Sequence, residues 1–316
     1  MCTHPLLGVR TWDPQTGGVK IRFAGSALSD PLQRNENFVT IPCGQCMECR
    51  LANARSWTVR ILHECVLHSR NSFITLTYND DNLPENGTLV KKHVQDFMKN
   101  LRIKLQRRYG VNIRFYCAGE YGSHTYRPHY HLIIFGFDFP DRRLHSRSKS
   151  GYNYYRSPLL EETWHYGFSS VGDVTYKSVA YVAKYVTKKL SGSISDFAYD
   201  GIIPEFAMMS RRPGVGHDFV LKYTDDIYNY DQVEFKGFKT RPPVYYDNIL
   251  AKIDPVRYVK VKDDRQVKSL DYKVKIHDRF FAGEDKFSYL DYERYLLERE
   301  RQVVDSVNKT KEFDSI

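Results

Sequence analysis

The sequence lacks any apolar run long enough to cross a bilayer as a helix, and its first residues, MCTHPLLGVR, lack the basic start and continuous hydrophobic stretch of a secretory signal. A chain kept in a reducing cytoplasm, with no membrane partner, is the expectation, so the six cysteines read as thiols or metal ligands and not as disulfides. No GxxxxGK phosphate loop occurs, so no nucleotide-driven step is expected, and no internal repeat or low-complexity tract stands out. Acidic residues are the scarcer charge: 38 Asp and Glu stand against 47 Lys and Arg, a net charge of +9 that favours a polyanionic partner, most simply nucleic acid. What is present is ordinary globular material, 316 residues at 41% hydrophobic and 27% charged, with 24 tyrosines, rings on which bases stack well.

The periodicity gives an α+β order. Residues 1–42 mix Gly, Pro, Asp and Asn with short apolar runs and predict turns and short strands. Ala54, Trp57, Ile61, Leu62, Cys65 and Val66 recur at helical spacing, predicting a helix of about five turns up to Arg70. SFITLTY (72–78) alternates and predicts a strand. Val94, Phe97, Met98, Leu101 and Leu105 form the stripe of a helix that Gly110 can end. IRFYCAGEY (113–121) and HYHLIIF (129–135) predict two antiparallel strands joined by the polar GSHTYRP. Beyond Gly216 the signals weaken: Ser288–Val307 predicts a highly charged helix, and 260–275 exposed strands or linker.

The chemistry gathers on those last two strands. Strand side chains alternate, so His129 and His131 share a face, and Arg114, Tyr116, Ala118 and Glu120 share one on the neighbouring strand. Alone, two such histidines read as rings bonded to backbone. With Glu120 placed across from them they make a facial set of two imidazoles and a carboxylate, which leaves positions open on a divalent metal for water or substrate oxygens. Cys117, with Ile113 and Phe115, falls on the core face.

In KSVAYVAKYVTKKL (177–190), Val179, Val182, Ala183, Val186 and Leu190 form one stripe, while Tyr181, Tyr185 and Lys188 fall on the other side, flanked by Lys177 and Lys184. An exposed amphipathic helix would look the same, but tyrosines one turn apart among lysines also suit attack on a phosphodiester, because cations stabilise phenolate. In PCGQCMECR, Cys43, Cys46 and Cys49 have the spacing of a metal knuckle. A ferredoxin reading fails because Asn53 and Ala54 stand where its Cys-Pro would be. Structural Zn²⁺ needs a fourth ligand, from Cys2, His4, His63 or Cys65, and the alternative is reduced cysteines in a tight turn.

HYHLIIFG, preceded by GEYG and followed by YVAKYVTKK, resembles the HUH endonuclease superfamily and, closely, the rolling-circle replication initiators of Microviridae phages of gokushovirus type. FITLTY, PCGQCMECR and SRRPGVG (210–216) extend the resemblance over roughly residues 40–216. It implies a relaxase-like antiparallel sheet with packed helices, an N-terminal Cys-containing segment (1–70), an endonuclease core (71–216) and a C-terminal helical extension (217–316). It also implies His129, His131 and Glu120 as ligands of Mg²⁺ or Mn²⁺, Tyr130 turned into the core, Tyr181 and Tyr185 as nucleophiles, and Lys184 and Lys188 beside them. The expected partners are single-stranded origin DNA and host polymerase and helicase, in the bacterial cytoplasm. A non-catalytic zinc-knuckle DNA-binding protein is the alternative, whereas a generic metallohydrolase explains neither the tyrosine helix nor the basic charge.

Overall fold

The computed structural model describes residues 2–14, 18–26, 37–122, 125–148, 151–184, 199–235, 237–283 and 288–314. By its contacts the chain forms two compact units, one of residues 1–52 with 250–316 and one of residues 53–249.

In the first unit the short N-terminal strands are β1 (Leu6–Asp13), β2 (Gly18–Ser26) and β3 (Phe38–Ile41), an antiparallel sheet in the order β2-β1-β3. Gly8 sits at its centre because a Cβ there would meet Ile21 and Ile41 side-chain carbons at 2.7 and 2.6 Å. Helix α1 (Met47–Val66) starts here, earlier than its apolar stripe suggests, and ends four residues short of Arg70. The expectation of strands or linker over 260–275 is overturned: Pro255–Phe280 is one helix. The Val-Lys-Val and Lys-Val-Lys triplets imitate period two, but the buried positions Val261 and Ile276 follow helical spacing. Asp254 caps the helix by accepting from the Arg257 N–H at 2.9 Å, and Pro255 suits its first position. Ile276 packs with Tyr292 and Leu296 of the predicted charged helix, which runs Ser288–Asp314.

The second unit is built on a seven-stranded sheet, antiparallel throughout, with β4 (Asn71–Tyr78) at its middle. Helix α2 (Lys91–Tyr109) buries the five predicted apolar residues, and Gly110, at φ 65°, ends it by giving its N–H to the last-turn carbonyls. Strands β5 (Arg114–Tyr121) and β6 (Pro128–Phe135) pair as expected. Then come β7 (Arg143–Arg147), β8 (Asn153–Arg156), helix α3 (Pro158–Thr163), β9 (Gly167–Gly172), helix α4 (Tyr176–Lys184) and β10 (Phe206–Met209). The strand order is β10-β5-β6-β4-β9-β8-β7.

Both sheet faces are covered. One carries Ile74, Leu76, Tyr130, Leu132 and Ile134 against α2 and α3; the other carries Tyr116, Ala118, Ile133 and Phe135 against Ile61 and Leu62 of α1 and Val179, Val182 and Ala183 of α4. Two-sided burial is why β5 and β6 read as near-continuous apolar runs. The loop SRRPGVG is held to α1 and β5 by buried polar bonds. Glu64 accepts from the Gly216 N–H at 2.7 Å and from Arg114 Nε at 2.6 Å, while Arg60 Nε and Arg114 Nη2 donate to the carbonyls of Val215 (3.0 Å) and Pro213 (2.8 Å).

Candidate active site

The register across the sheet assembles the site. Glu120 lies opposite His129 and Ala118 opposite His131; on the other side of β6, Thr77 lies opposite His129 and Thr75 opposite His131. Both imidazoles therefore face the same way as Glu120, and Tyr130 between them is fully buried on the opposite face. Its hydroxyl bonds Tyr78 Oη and the Val90 N–H, each at 2.8 Å.

His131 is the better-fixed ring. Its Nε2 lies 2.8 Å from Glu120 Oε1 and its Nδ1 lies 3.1 Å from Thr75 Oγ1, and Phe73 stacks on it at 5.7 Å. His129 is half-buried, with Nδ1 2.6 Å from the Arg127 carbonyl. A carbonyl only accepts, so Nδ1 carries the proton and the lone pair sits on Nε2, the ligand-competent nitrogen. Burial holds the His129 pKa below its ordinary value, which favours the neutral ring that a metal requires. The two ring centres are 6.4 Å apart. Imidazole nitrogens and a carboxylate suit a hard or borderline divalent ion with open positions, so the donor set fits such an ion in kind. These three donors do not close to the spacing of the cysteine group described below.

Tyr181 reaches the same carboxylate. Its hydroxyl donates to Glu120 Oε1 at 3.2 Å and its ring meets His131 edge-on at 5.1 Å, while 44% of the residue stays exposed. The side chain is held there by α4, whose opposite face buries Val179, Val182 and Ala183. The helix start is fixed by a reciprocal cap: the Ser178 N–H donates to Thr175 Oγ1 and the Thr175 N–H to Ser178 Oγ. Lys184, half-buried, ends the described part of the helix. Tyr185 and Lys188, with Val186 and Leu190, lie outside the described residues. Thr75 is the residue that sequence reasoning missed. Alternation in SFITLTY puts it opposite the core residues Ile74 and Leu76, but only strand pairing reveals its histidine.

The cysteine run resolves into a four-thiol cluster, and the fourth member is Cys2. The sulfurs of Cys2, Cys43, Cys46 and Cys49 all lie within 4.8 Å of one another, the one such group of His, Cys, Asp and Glu among the described residues. Cys2 and Cys46 sulfurs are 3.8 Å apart, close to the edge of a tetrahedron with metal–sulfur bonds of about 2.3 Å. Backbone N–H groups point at sulfur: Cys43 to Cys2 at 3.2 Å and Cys46 to Cys43 at 3.2 Å. Burial raises the Cys46 thiol, but hydrogen bonds from Thr3 and Cys49 outweigh it and hold the pKa down at about 6. Burial pushes Cys2 up to about 11. This cluster could hold a metal. The other candidates for fourth ligand are engaged elsewhere: His63 with Tyr246 Oη at 2.9 Å, His4 with Thr3 and Glu300, and Cys65 among apolar neighbours. Cys117 is fully buried, as its face predicts.

A family model of replication-associated proteins of the ORF2 type matches residues 71–190, the segment that holds the histidine strand and the start of the tyrosine helix. The chain is 33% identical over 249 residues to the replication-associated protein ORF2 of Spiroplasma virus 4, covering 74% of this chain and 77% of that one. It is 32% identical over 234 residues to the replication-associated protein VP4 of Bdellovibrio phage phiMH2K, covering 72% and 73%, and 31% identical over 219 residues to the replication-associated protein ORF4 of Chlamydia phage 1, covering 67% and 54%. No solved structure matches.

Proposed function

The chain belongs to the family of phage replication-associated proteins, and from that premise we propose that it is a replication initiator that nicks single-stranded DNA at an origin by tyrosine attack. The observation that carries this reading is one contact: an exposed tyrosine hydroxyl 3.2 Å from a buried carboxylate that is itself 2.8 Å from a histidine of the HxH pair.

Tyr181 is the nucleophile in this reading, with Tyr185 its partner one turn on. The phenol proton passes to Glu120 or to solvent, Oη bonds to phosphorus, and the bond from phosphorus to the 3′ oxygen breaks. That oxygen takes a proton and leaves as a free 3′-OH, ready for a host polymerase, while the 5′ phosphate stays on tyrosine. One phosphodiester replaces another, so rejoining needs no nucleotide. His129, His131 and Glu120 would hold Mg²⁺ or Mn²⁺, which when bound neutralises charge on the scissile phosphate. Thr75 orients His131, and the Arg127 carbonyl sets the His129 tautomer. Lys184 and Lys188 attract the DNA backbone and favour phenolate. The four thiols would hold a structural Zn²⁺ that closes the N-terminal segment on the start of α1.

The test is covalent. Labelled single-stranded phage DNA is incubated with the protein and Mn²⁺ and run on a denaturing gel. Label that stays with the protein, is lost only when Tyr181 and Tyr185 are both phenylalanine, and survives in each single variant supports the reading. Fully reversible binding would replace it with a DNA-binding role.

A further inference from the structure

Four residues stand in register across four neighbouring strands: Glu120 on β5, His129 on β6, Thr77 on β4 and Phe168 on β9. Residues directly opposite in antiparallel strands share a face, so Phe168 looks out on the same side as the histidine pair, two strands and about 10 Å from His129. Exposure climbs along this row. Glu120 is 4% exposed and Phe168 63%. The neighbouring rows are closed differently: Tyr116 and Ile133 are roofed by the apolar face of α4, and Ser170 follows His131 and Thr75.

The composition of β9, GFSSVG, sharpens the point. Its buried residues Ser169 and Val171 belong to the opposite face, so Phe168 contributes nothing to that core. On the site face its companions are Ser170 and Gly172, and it is the one large side chain there. Isolated exposed apolar residues are common on protein surfaces and by themselves signify nothing. This one sits on a regular strand, at the open end of the row that begins with two of the proposed metal ligands. Its carbonyl accepts from Thr77 Oγ1 at 3.4 Å.

We propose that Phe168 is a base-stacking platform: its ring receives a nucleobase flanking the scissile phosphodiester and so sets which phosphate lies over His129 and Glu120. The proposal rests on the nicking reading for its catalytic consequence, and its ligand class is single-stranded nucleic acid, in keeping with the net charge of +9. A phenyl ring offers every base the same π-face, so it holds the strand without choosing sequence. A duplex keeps its bases stacked on each other, so the platform selects melted DNA. Phe168 is a positioning residue: it touches a base and not the reacting atoms.

The experiment uses the full chain and a fluorescent mixed-sequence single-stranded oligonucleotide, with a set of copies in which one base at a time is replaced by an abasic site. Binding is read by anisotropy, and adduct formation in Mn²⁺ on the same samples. Phe168→Ala is expected to weaken binding about tenfold, and Phe168→Tyr and Phe168→Trp to stay within about twofold of wild type. At one position of the oligonucleotide, base removal should cost wild type the same factor and cost Phe168→Ala nothing further, and the KM for adduct formation should rise with kcat nearly unchanged. Unaltered binding by Phe168→Ala, failure of tyrosine to rescue, or a penalty that adds to every base removal would each overturn the proposal. Wild type that binds with this coupling but forms no adduct defeats the nicking reading and leaves the stacking assignment standing. Wild type that does not bind single strands defeats both.

Discussion

Lowering the pH should weaken the second unit through a single buried imidazole. His63 is 6% exposed, stacked on Phe219 at 3.8 Å, and its Nδ1 lies 2.9 Å from the Tyr246 hydroxyl. Burial raises the Tyr246 pKa, so that hydroxyl keeps its proton and donates it, and a neutral imidazole is the acceptor. Burial also depresses the His63 pKa from 6.5 to about 4. Between those values the unfolded chain binds the proton and the folded one does not, so stability is full above the unfolded value and is lost as pH falls toward the folded one. At about 1.4 kcal/mol per pH unit within that window, the loss from pH 7 to pH 5 is about 2 kcal/mol. Glu64 carries the same sign, because burial of its carboxylate is outweighed by His68, the Gly216 N–H and Arg114, but it acts below the ordinary carboxylate range. Urea unfolding at the two pH values, followed by tryptophan fluorescence of Trp57 and Trp164 and repeated on His63→Gln, reads the effect. Glutamine keeps an acceptor for Tyr246 but does not titrate, so the wild type should lose about 2 kcal/mol more than the variant. Equal losses would show that His63 is charged in the folded protein, and the reasoning would fail.

Other outcomes follow from the same geometry. His129→Ala or His131→Ala should cut nicking by about a hundredfold or more while salt-sensitive DNA binding, carried by dispersed Lys and Arg, stays largely intact; wild-type nicking in Mg²⁺ by either variant would remove both from the metal site. Cys2→Ser should release as much zinc as Cys46→Ser and lower the melting temperature of both to the same degree, and elemental analysis of the wild type finding no zinc or iron would sink the cluster as a metal site. Gly216→Ala should cost about 1–3 kcal/mol in denaturant unfolding. Its backbone is at φ +79° and a Cβ would meet Tyr246 Oη at 2.6 Å, so a substitution tolerated within experimental error would contradict the packing of the 210–216 loop.

Much of this protein was decided by the local pattern of its residues. Period two in SFITLTY and period 3.6 in residues 94–105 mark elements that bury those very side chains, because each stripe has one face to hide. The short GSHTYRP connection leaves β5 and β6 little choice but to pair, so Glu120 beside His129 and His131 was legible in the residues alone. The stripe in residues 179–183 likewise turned Tyr181 away from the core. What stayed hidden depends on partners distant in the chain. Strands β7 and β9 are polar or rich in Gly and Ser, and take their strand conformation from the ladder they join, so local propensity was silent about them and about Phe168. The 260–275 segment misled because two valine–lysine triplets outweighed, to the eye, a helical burial spacing that needs tertiary partners to be seen. Cys2 joins Cys43 across 41 residues, and Thr75 joins His131 across 56. No spacing rule reaches that far, because the closure of such loops is set by the packing of the whole unit and not by the residues that meet at its end.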